Sequence, residues 1–216
     1  MVALLRTLLE RQPGSSGDAA GTGRGSRCEI ERRKIVKQAT IIDKRAVRVN
    51  ADTFRFERLF PGPIERVWEY LVDGEKRGKW LARGDAGTSV GEEFQMRFKH
   101  AELTPEPGEM PERFKQYENG HTSTHKVTLW EPPRRFGMSW GEGEEPSEVI
   151  FELTPEGKKV RFVLTHRRVS DASQAEGYTK GWHTHLEVLE GVLEEKPLEP
   201  FWDLFRKSEA LYETAS

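Results

Sequence analysis

Six histidines are the residues of this sequence best suited to metal or acid–base chemistry near neutral pH. His121 and His125 stand four residues apart, a spacing that on a helix would suit one shared metal ion. They fall where a loop is predicted to enter a strand, and residues four apart on a strand lie about 13 Å from each other. His183 and His185 are two residues apart on a predicted helix and so point in different directions. The spacing therefore predicts no metal site.

Paired carboxylates are another common acid–base arrangement, but those of this sequence are not predicted to face a common site. Glu92 and Glu93 are neighbours on a predicted strand, so their side chains point to opposite faces of it. The acidic cluster Glu142–Glu145 lies in a predicted turn and is expected to be solvated. The sequence also lacks a nucleophile elbow, a phosphate-binding loop and a catalytic-triad pattern. We therefore predict no catalytic residues and no cofactor.

The apolar pattern indicates the elements that position these side chains. Six segments alternate apolar and polar residues, and each has one apolar face, which is typical of an antiparallel sheet covered on one side. Two short helices, Ile64–Val72 and Glu75–Leu81, are predicted after the first strand. The predicted strands are Thr53–Phe60, Glu92–Phe98, His125–Trp130, Arg135–Trp140, Glu148–Leu153 and Lys159–His166.

A long helix is predicted over Ala172–Glu195, where apolar residues recur every three or four positions and could cover the sheet. Gly181, beside Trp182, is expected to permit close approach of this helix to the sheet. His185 follows Trp182 by three residues on nearly the same face. It is expected to orient a polar group of a ligand, to act as an acid or base near neutral pH, or to form a hydrogen bond beside the core. A final short helix is predicted over Phe201–Tyr212.

The stretch Lys99–His121 holds three prolines and several glutamates, and it predicts a long loop. Its aromatic residues Phe114 and Tyr117 could plug the mouth of a cavity. The sequence leaves two interpretations open, a lid and a mobile surface loop.

The first fifty residues differ in composition from the rest. They hold eleven Lys or Arg residues and five Asp or Glu residues, and residues 13–26 are rich in Gly and Ser. We predict a flexible basic N-terminal extension over residues 1–50 and one domain over residues 51–216. A basic arm that touches nucleic acid or a membrane surface is the alternative, although the net charge of -2 favours neither partner.

The composition also bears on the cellular setting. No apolar run approaches the length that a membrane span needs, so no membrane span is predicted. Cys28 is the single cysteine, which excludes an intramolecular disulfide. A reducing, cytoplasmic location is therefore expected.

Several pieces of the sequence, in order along the chain, resemble the START-like (SRPBCC, helix-grip) superfamily, in the branch of the homologues of the activator of the 90-kDa heat-shock protein ATPase. The pieces are ERLFPGPIERVW at Glu57–Trp68, Trp80-Leu81, VGEEFQMRF at Val90–Phe98, VTLWEPPRRFGMSW at Val127–Trp140, VIFELTPEGKKVRFVLTH at Val149–His166 and GWHTHLEVLEGVL at Gly181–Leu193. The resemblance implies an α+β helix-grip domain. In it a curved antiparallel sheet of about six strands wraps on the long C-terminal helix, with two short helices after strand 1.

The resemblance further implies a scaffold that binds an apolar or amphipathic small molecule in a cavity between the sheet and the long helix, in a stress-related or regulatory role. An enzyme using the same cavity, cyclase- or hydrolase-like, and a chaperone-assisting protein are the alternatives. A chaperone or a second copy of the chain is left open as a partner. The predicted ligand-binding residues, which would show the same pattern in a solid core, are Trp80, Phe94, Met96, Phe98, Met138, Trp140, Phe151, Phe162, Tyr178, Trp182, His185 and Leu186.

Overall fold

The computed structural model describes residues 43–141 and 143–213. Most of the predicted N-terminal extension, residues 1–42, therefore lies outside the described residues. The described part of the chain folds into α+β structure, with a single antiparallel sheet and α-helices before and after its central strands. None of the helices in these two ranges is both long enough and apolar enough to cross a membrane.

Seven strands form the sheet: β1 (Val47–Asn50), β2 (Thr53–Pro61), β3 (Glu93–Phe98), β4 (His121–Glu131), β5 (Arg135–Trp140), β6 (Ser147–Glu156) and β7 (Lys159–Arg167). Their order across the sheet is β1-β2-β7-β6-β5-β4-β3, and every neighbouring pair is antiparallel. The sheet is open and curved, and it carries the long C-terminal helix, which is the helix-grip architecture that was predicted.

The edge strand β1 has no counterpart among the six predicted strands. It pairs with β2, and Val47 lies opposite Arg55 in the register. All four of its residues are exposed, so it lacks the buried face from which an alternating pattern arises. The strand also falls within the range assigned to the extension, and the sheet therefore begins before Ala51.

Four α-helices are described: α1 (Ile64–Val72), α2 (Gly74–Arg77), α3 (Ala172–Glu194) and α4 (Phe201–Glu213). An aspartate caps the start of both α2 and α3, because Asp73 accepts a bond from the third residue of α2 and Asp171 accepts bonds from the second and third residues of α3. α2 ends four residues before the predicted end at Leu81. Trp80, the apolar anchor of that prediction, is nonetheless fully buried.

The long helix α3 lies against the buried face of the sheet. Strands β2, β3 and β7 bury alternate residues, as the sequence pattern predicts for a sheet covered on one side. The apolar stripe of α3 is completely or almost completely buried, and it consists of Trp182, Leu186, Val188, Leu189 and Leu193. Burial of this stripe is the main apolar contribution of α3 to the core.

The segment between β3 and β4, residues 99–120, is attached to α4. It contains two short 3₁₀ helices, His100–Glu102 and Glu112–Tyr117. Four hydrogen bonds join it to α4: Phe201 N–H to Thr104 Oγ1 at 3.1 Å, Trp202 N–H to the Pro107 carbonyl at 3.0 Å, Arg206 Nη1 to the Glu109 carbonyl at 2.8 Å and Arg113 Nη2 to Glu209 Oε1. Of the two interpretations of this loop, these bonds favour the one in which it covers a neighbouring surface.

Arg77 and Gly84 hold the connection between α2 and β3. The buried guanidinium of Arg77 donates to the carbonyls of Leu71, Ala82 and Gly84. Burial lowers the pKa of Arg77 to about 10, which leaves the group charged near neutral pH. Gly84 has φ +109°, and a Cβ there would overlap the carbonyl oxygen of Gln95 in β3.

We predict that Gly84→Ala lowers the free energy of unfolding by about 2–4 kcal/mol, because it adds a steric clash to an unfavourable backbone conformation. The matched control is Gly91→Ala, since Gly91 has φ +92° but nothing within 4 Å of an added Cβ. The control is expected to lower the free energy of unfolding by about 1 kcal/mol, because it adds the unfavourable backbone conformation without the steric clash. Urea unfolding of both variants measures the difference, and equal losses would argue against close packing at Gly84.

Candidate functional site

Aromatic side chains occupy the interface between the sheet and α3 at the centre of the predicted cavity. The rings of Trp140 and Trp182 have centroids 4.7 Å apart. Phe151 contacts Trp182 on one side and Phe162 on another, with centroids 6.1 Å and 5.8 Å apart. Trp80 meets Phe151 edge-on at 6.5 Å. At these points the sheet and the helix are joined by side chains in direct contact.

A buried hydrogen-bond chain runs through the same interface. The indole Nε1–H of Trp182 donates to Nδ1 of His166 at 3.1 Å. An indole N–H only donates, so Nδ1 accepts and the proton of His166 is on Nε2. Nε2–H then donates to Ser147 Oγ at 2.8 Å, and the Ser147 hydroxyl donates to the carbonyl of Trp140 at 2.7 Å. Both ring nitrogens of His166 are satisfied, which makes this histidine structural.

A groove of about 550 Å³ lies beside α3, outside that filled interface. Its walls are the first half of α3, helix α4 and the segment of residues 99–120, and no strand residue lines it. The groove is therefore built by the elements that surround the sheet. Six aromatic residues line the groove: His100, Phe114, Tyr178, Phe201, Trp202 and Phe205.

Gly177 and Gly181 leave open space in the α3 wall of the groove. A Cβ at either position would have no heavy atom within 4 Å outside the adjacent residues and the backbone of the helix. The expectation that Gly181 permits close approach to the sheet is therefore wrong. Its neighbour Trp182 faces the sheet, whereas Gly181 lies one residue, about 100°, further round the helix.

The charged residues that line the groove are paired with each other. Arg113 forms an ion pair with Glu209, and its guanidinium lies over the ring of Phe114, 4.9 Å from the centroid. Lys180 is paired with Glu176, one turn earlier in α3, at 2.6 Å. These pairs balance the four charges, so the walls of the groove are aromatic and its charges are compensated.

Two histidines face each other at one end of the groove. Nδ1 of His185 lies 2.7 Å from the carbonyl of Trp80. His100 lies beside His185, with ring centroids 5.5 Å apart, and stacks on Phe201 at 4.8 Å. Burial lowers the pKa of His185 to about 4 and that of His100 to about 3, and for His100 the neighbouring His185 adds to the effect. Both imidazoles are thus neutral at physiological pH.

The groove brings together two of the twelve predicted ligand-binding residues, Tyr178 and His185. The other ten do not line it, and they are Trp80, Phe94, Met96, Phe98, Met138, Trp140, Phe151, Phe162, Trp182 and Leu186. Nine of these ten are buried in the core, and Trp140 packs against it. The sequence prediction missed His100, Arg113, Phe201, Trp202 and Phe205. The apolar spacing in α4 was visible, but nothing in the sequence indicated that α4 faces the segment of residues 99–120.

A comparison with protein families identifies the family of this chain. Residues 61–194 match the family described as Activator of Hsp90 ATPase homolog 1-like protein. The chain belongs to this family. The solution NMR structure of a protein encoded by gene BPP1335 of Bordetella parapertussis is 43% identical, covers 80% of this chain and 90% of its own, and has a TM-score of 0.68. No curated protein matches the chain.

More distant structures share the fold. CalU16 from Micromonospora echinospora is 18% identical and covers 75% of this chain and 86% of its own, with a TM-score of 0.53. A conserved protein of unknown function from Enterococcus faecalis, EF2215, is 16% identical and covers 79% of this chain and 92% of its own, with a TM-score of 0.54. At these identities the likeness concerns the helix-grip fold alone. Helix α4, one wall of the groove, lies beyond the range matched by the family.

Four partly or fully buried histidines are expected to make the free energy of unfolding depend on pH. Burial lowers the pKa of His100 and His166 to about 3 and that of His183 and His185 to about 4, from an ordinary value of 6.5. Below pH 6.5 the unfolded chain therefore takes up protons that the folded chain does not. The free energy of unfolding is expected to be greatest above pH 6.5 and to fall as the pH decreases towards 4. Each histidine contributes a slope of up to about 1.4 kcal/mol per pH unit.

Urea unfolding between pH 7.5 and pH 5, a window above the titration of ordinary carboxylates, measures this slope. The matched variant is His100→Phe, which keeps a ring against Phe201 and removes one titrating group. We expect the free energy of unfolding of this variant to change less steeply with pH than that of the wild type, by the contribution of one histidine. An unchanged slope in this variant would contradict a neutral His100 in the folded protein.

Proposed function

We propose that this protein binds a small apolar or amphipathic molecule in the groove between α3, α4 and the segment of residues 99–120. The observation that carries the proposal is the open space at Gly177 and Gly181. A glycine inside a helix costs about 1 kcal/mol relative to alanine. Glycines in helices are commonly explained by a close neighbour, and these two have none. Space for a ligand is the explanation that we favour.

The size and composition of the groove support the same proposal. Its volume of about 550 Å³ falls within the range of roughly 300–1,000 Å³ that is usual for small-molecule sites. Aromatic rings supply large apolar area, and the few polar groups can orient a bound molecule. The proposed position differs from the internal cavity expected from the family resemblance, because it lies on the side of α3 that faces α4.

The enzyme alternative is less well supported by the groove. A general base works best when its pKa lies near the working pH. The pKa values of about 3 and about 4 for His100 and His185 make both imidazoles weak bases. The two carboxylates of the groove, Glu176 and Glu209, are held in ion pairs. The cytoplasmic location, the stress-related or regulatory role, and a chaperone or second copy as partner stay predictions.

Filling the groove tests the proposal. The probe is N-phenyl-α-naphthylamine, an uncharged dye whose fluorescence rises in apolar surroundings. Gly181→Leu is expected to weaken dye binding by about tenfold or more, because the new side chain occupies the space that the ligand needs. The fold should tolerate it, since an added Cβ meets nothing within 4 Å.

Gly181→Ala is the matched control for this variant. It should raise the free energy of unfolding by about 1 kcal/mol through helix propensity and leave dye binding nearly unchanged. Thermal unfolding with and without dye gives an independent readout, because a ligand that binds the folded state raises the melting temperature. Failure of the dye to bind the wild type, or equal binding by the wild type and Gly181→Leu, would exclude the groove as the site.

A further inference from the structure

The hydrogen bond between His185 and Trp80 determines which nitrogen of His185 carries a proton. A backbone carbonyl only accepts, so Nδ1 of His185 is the donor in the 2.7 Å contact and Nε2 of the neutral ring is an acceptor. Trp80 is itself fixed, because it is fully buried and its indole N–H donates to the carbonyl of Tyr70 at 2.7 Å. The tautomer and orientation of His185 are therefore set by the core.

His185 lines the groove, and its Nε2 accepts no hydrogen bond from the described part of the chain. The bond to Trp80 is the one hydrogen bond that His185 makes with residues of the described part of the chain. His185 as a residue is 7% exposed, and it is one of the residues that line the groove. An acceptor that is nearly buried and lacks a donor is unfavourable unless a bound group supplies one.

The surroundings of this acceptor select against charged ligands. His100, the nearest titratable neighbour, is neutral and is held by ring contacts with Phe201 and Trp202. Arg113 and Lys180 are already paired with carboxylates at the groove. A bound ion would lose its hydration without gaining an unpaired opposite charge, which is costly.

The arrangement of the rings favours a flat ligand. His100 stacks on Phe201 with 21° between the ring planes, and Phe114 stacks on Trp202 with 25° between them. Parallel and edge-on ring contacts are the geometry in which aromatic groups pack best. Another planar ring can extend such an arrangement.

We propose that the groove is specific for uncharged aromatic molecules that carry a hydroxyl group, and that this hydroxyl donates its hydrogen bond to Nε2 of His185. This inference rests on the proposed function, because it names the class of ligand for the same groove. His185 is then the residue that determines specificity. The aromatic walls supply affinity without distinguishing among flat apolar molecules.

Displacement of N-phenyl-α-naphthylamine by three matched compounds tests the inference. The compounds are β-naphthol, its methyl ether and β-naphthoate. β-Naphthol carries a hydroxyl that can donate a hydrogen bond, the ether has no donor, and β-naphthoate carries a negative charge. The wild type is expected to bind β-naphthol about tenfold more tightly than the ether, as one hydrogen bond to a nearly buried acceptor implies. It should bind β-naphthoate more weakly than β-naphthol.

His185→Asn is the informative variant. The asparagine amide N–H can still donate to the carbonyl of Trp80, but the acceptor at the Nε2 position is lost. We expect the preference for β-naphthol over its ether to fall to about twofold or less. The control is His183→Asn, because His183 contacts Tyr212 at 3.2 Å and does not line the groove. This control should keep the full preference.

The outcomes separate the two proposals. If the dye does not bind the wild type, the proposed function fails and this inference with it. If the dye binds the groove but none of the three compounds displaces it or raises the melting temperature, this inference alone fails. If β-naphthol and its ether bind equally, the groove is a binding site but His185 does not select the ligand. Tightest binding of β-naphthoate overturns the inference as well. Should His185→Asn not fold, the ¹⁵N resonance of His185 Nε2 in the wild type must shift on addition of β-naphthol and remain unmoved by the ether.

Discussion

The hydrogen bond from Trp182 to His166 fixes the rotation of α3 on the sheet. An indole N–H buried without an acceptor would cost free energy, so α3 can turn only within the range that keeps this bond. His166 in turn is held on β7 through Ser147, at the start of β6. Because α3 is one continuous helix, this single contact decides the direction of every other side chain along it.

The consequence is a helix with two different sides. Trp182, Leu186 and Leu189 form the side that is buried against the core. Gly177, Gly181 and His185 are spaced four residues apart and form a second stripe, which lines the groove. The first stripe is filled by large rings in direct contact, and the second is open because two of its three residues have no side chain. The open space beside α3 therefore lies on the second side, towards α4.

Alternation and helical spacing predicted the six strands β2 to β7 and the helices α1 and α3, most clearly where an element buries alternate residues, as β2, β3 and β7 do. Strand β1 was missed since all of its residues are exposed. The groove was missed for a different reason. Its walls meet through backbone bonds such as Trp202 N–H to the carbonyl of Pro107, and backbone bonds leave no trace in residue type. His185 was predicted to lie on nearly the same face of α3 as Trp182, but it lines the groove and Trp182 does not. Gly181 was recognised as special for the wrong physical reason.

The family match divides the groove into two parts. Gly181 and His185 lie within the matched residues 61–194, whereas Phe201, Trp202 and Phe205 lie beyond them. The polar acceptor therefore belongs to the helix that the fold requires, and its orientation is set by the core at Trp80. Three of the six aromatic residues of the groove, Phe201, Trp202 and Phe205, belong to α4, and all three are also buried in the hydrophobic core. The groove therefore shares this part of its wall with the core, and a change there also alters the packing of α4.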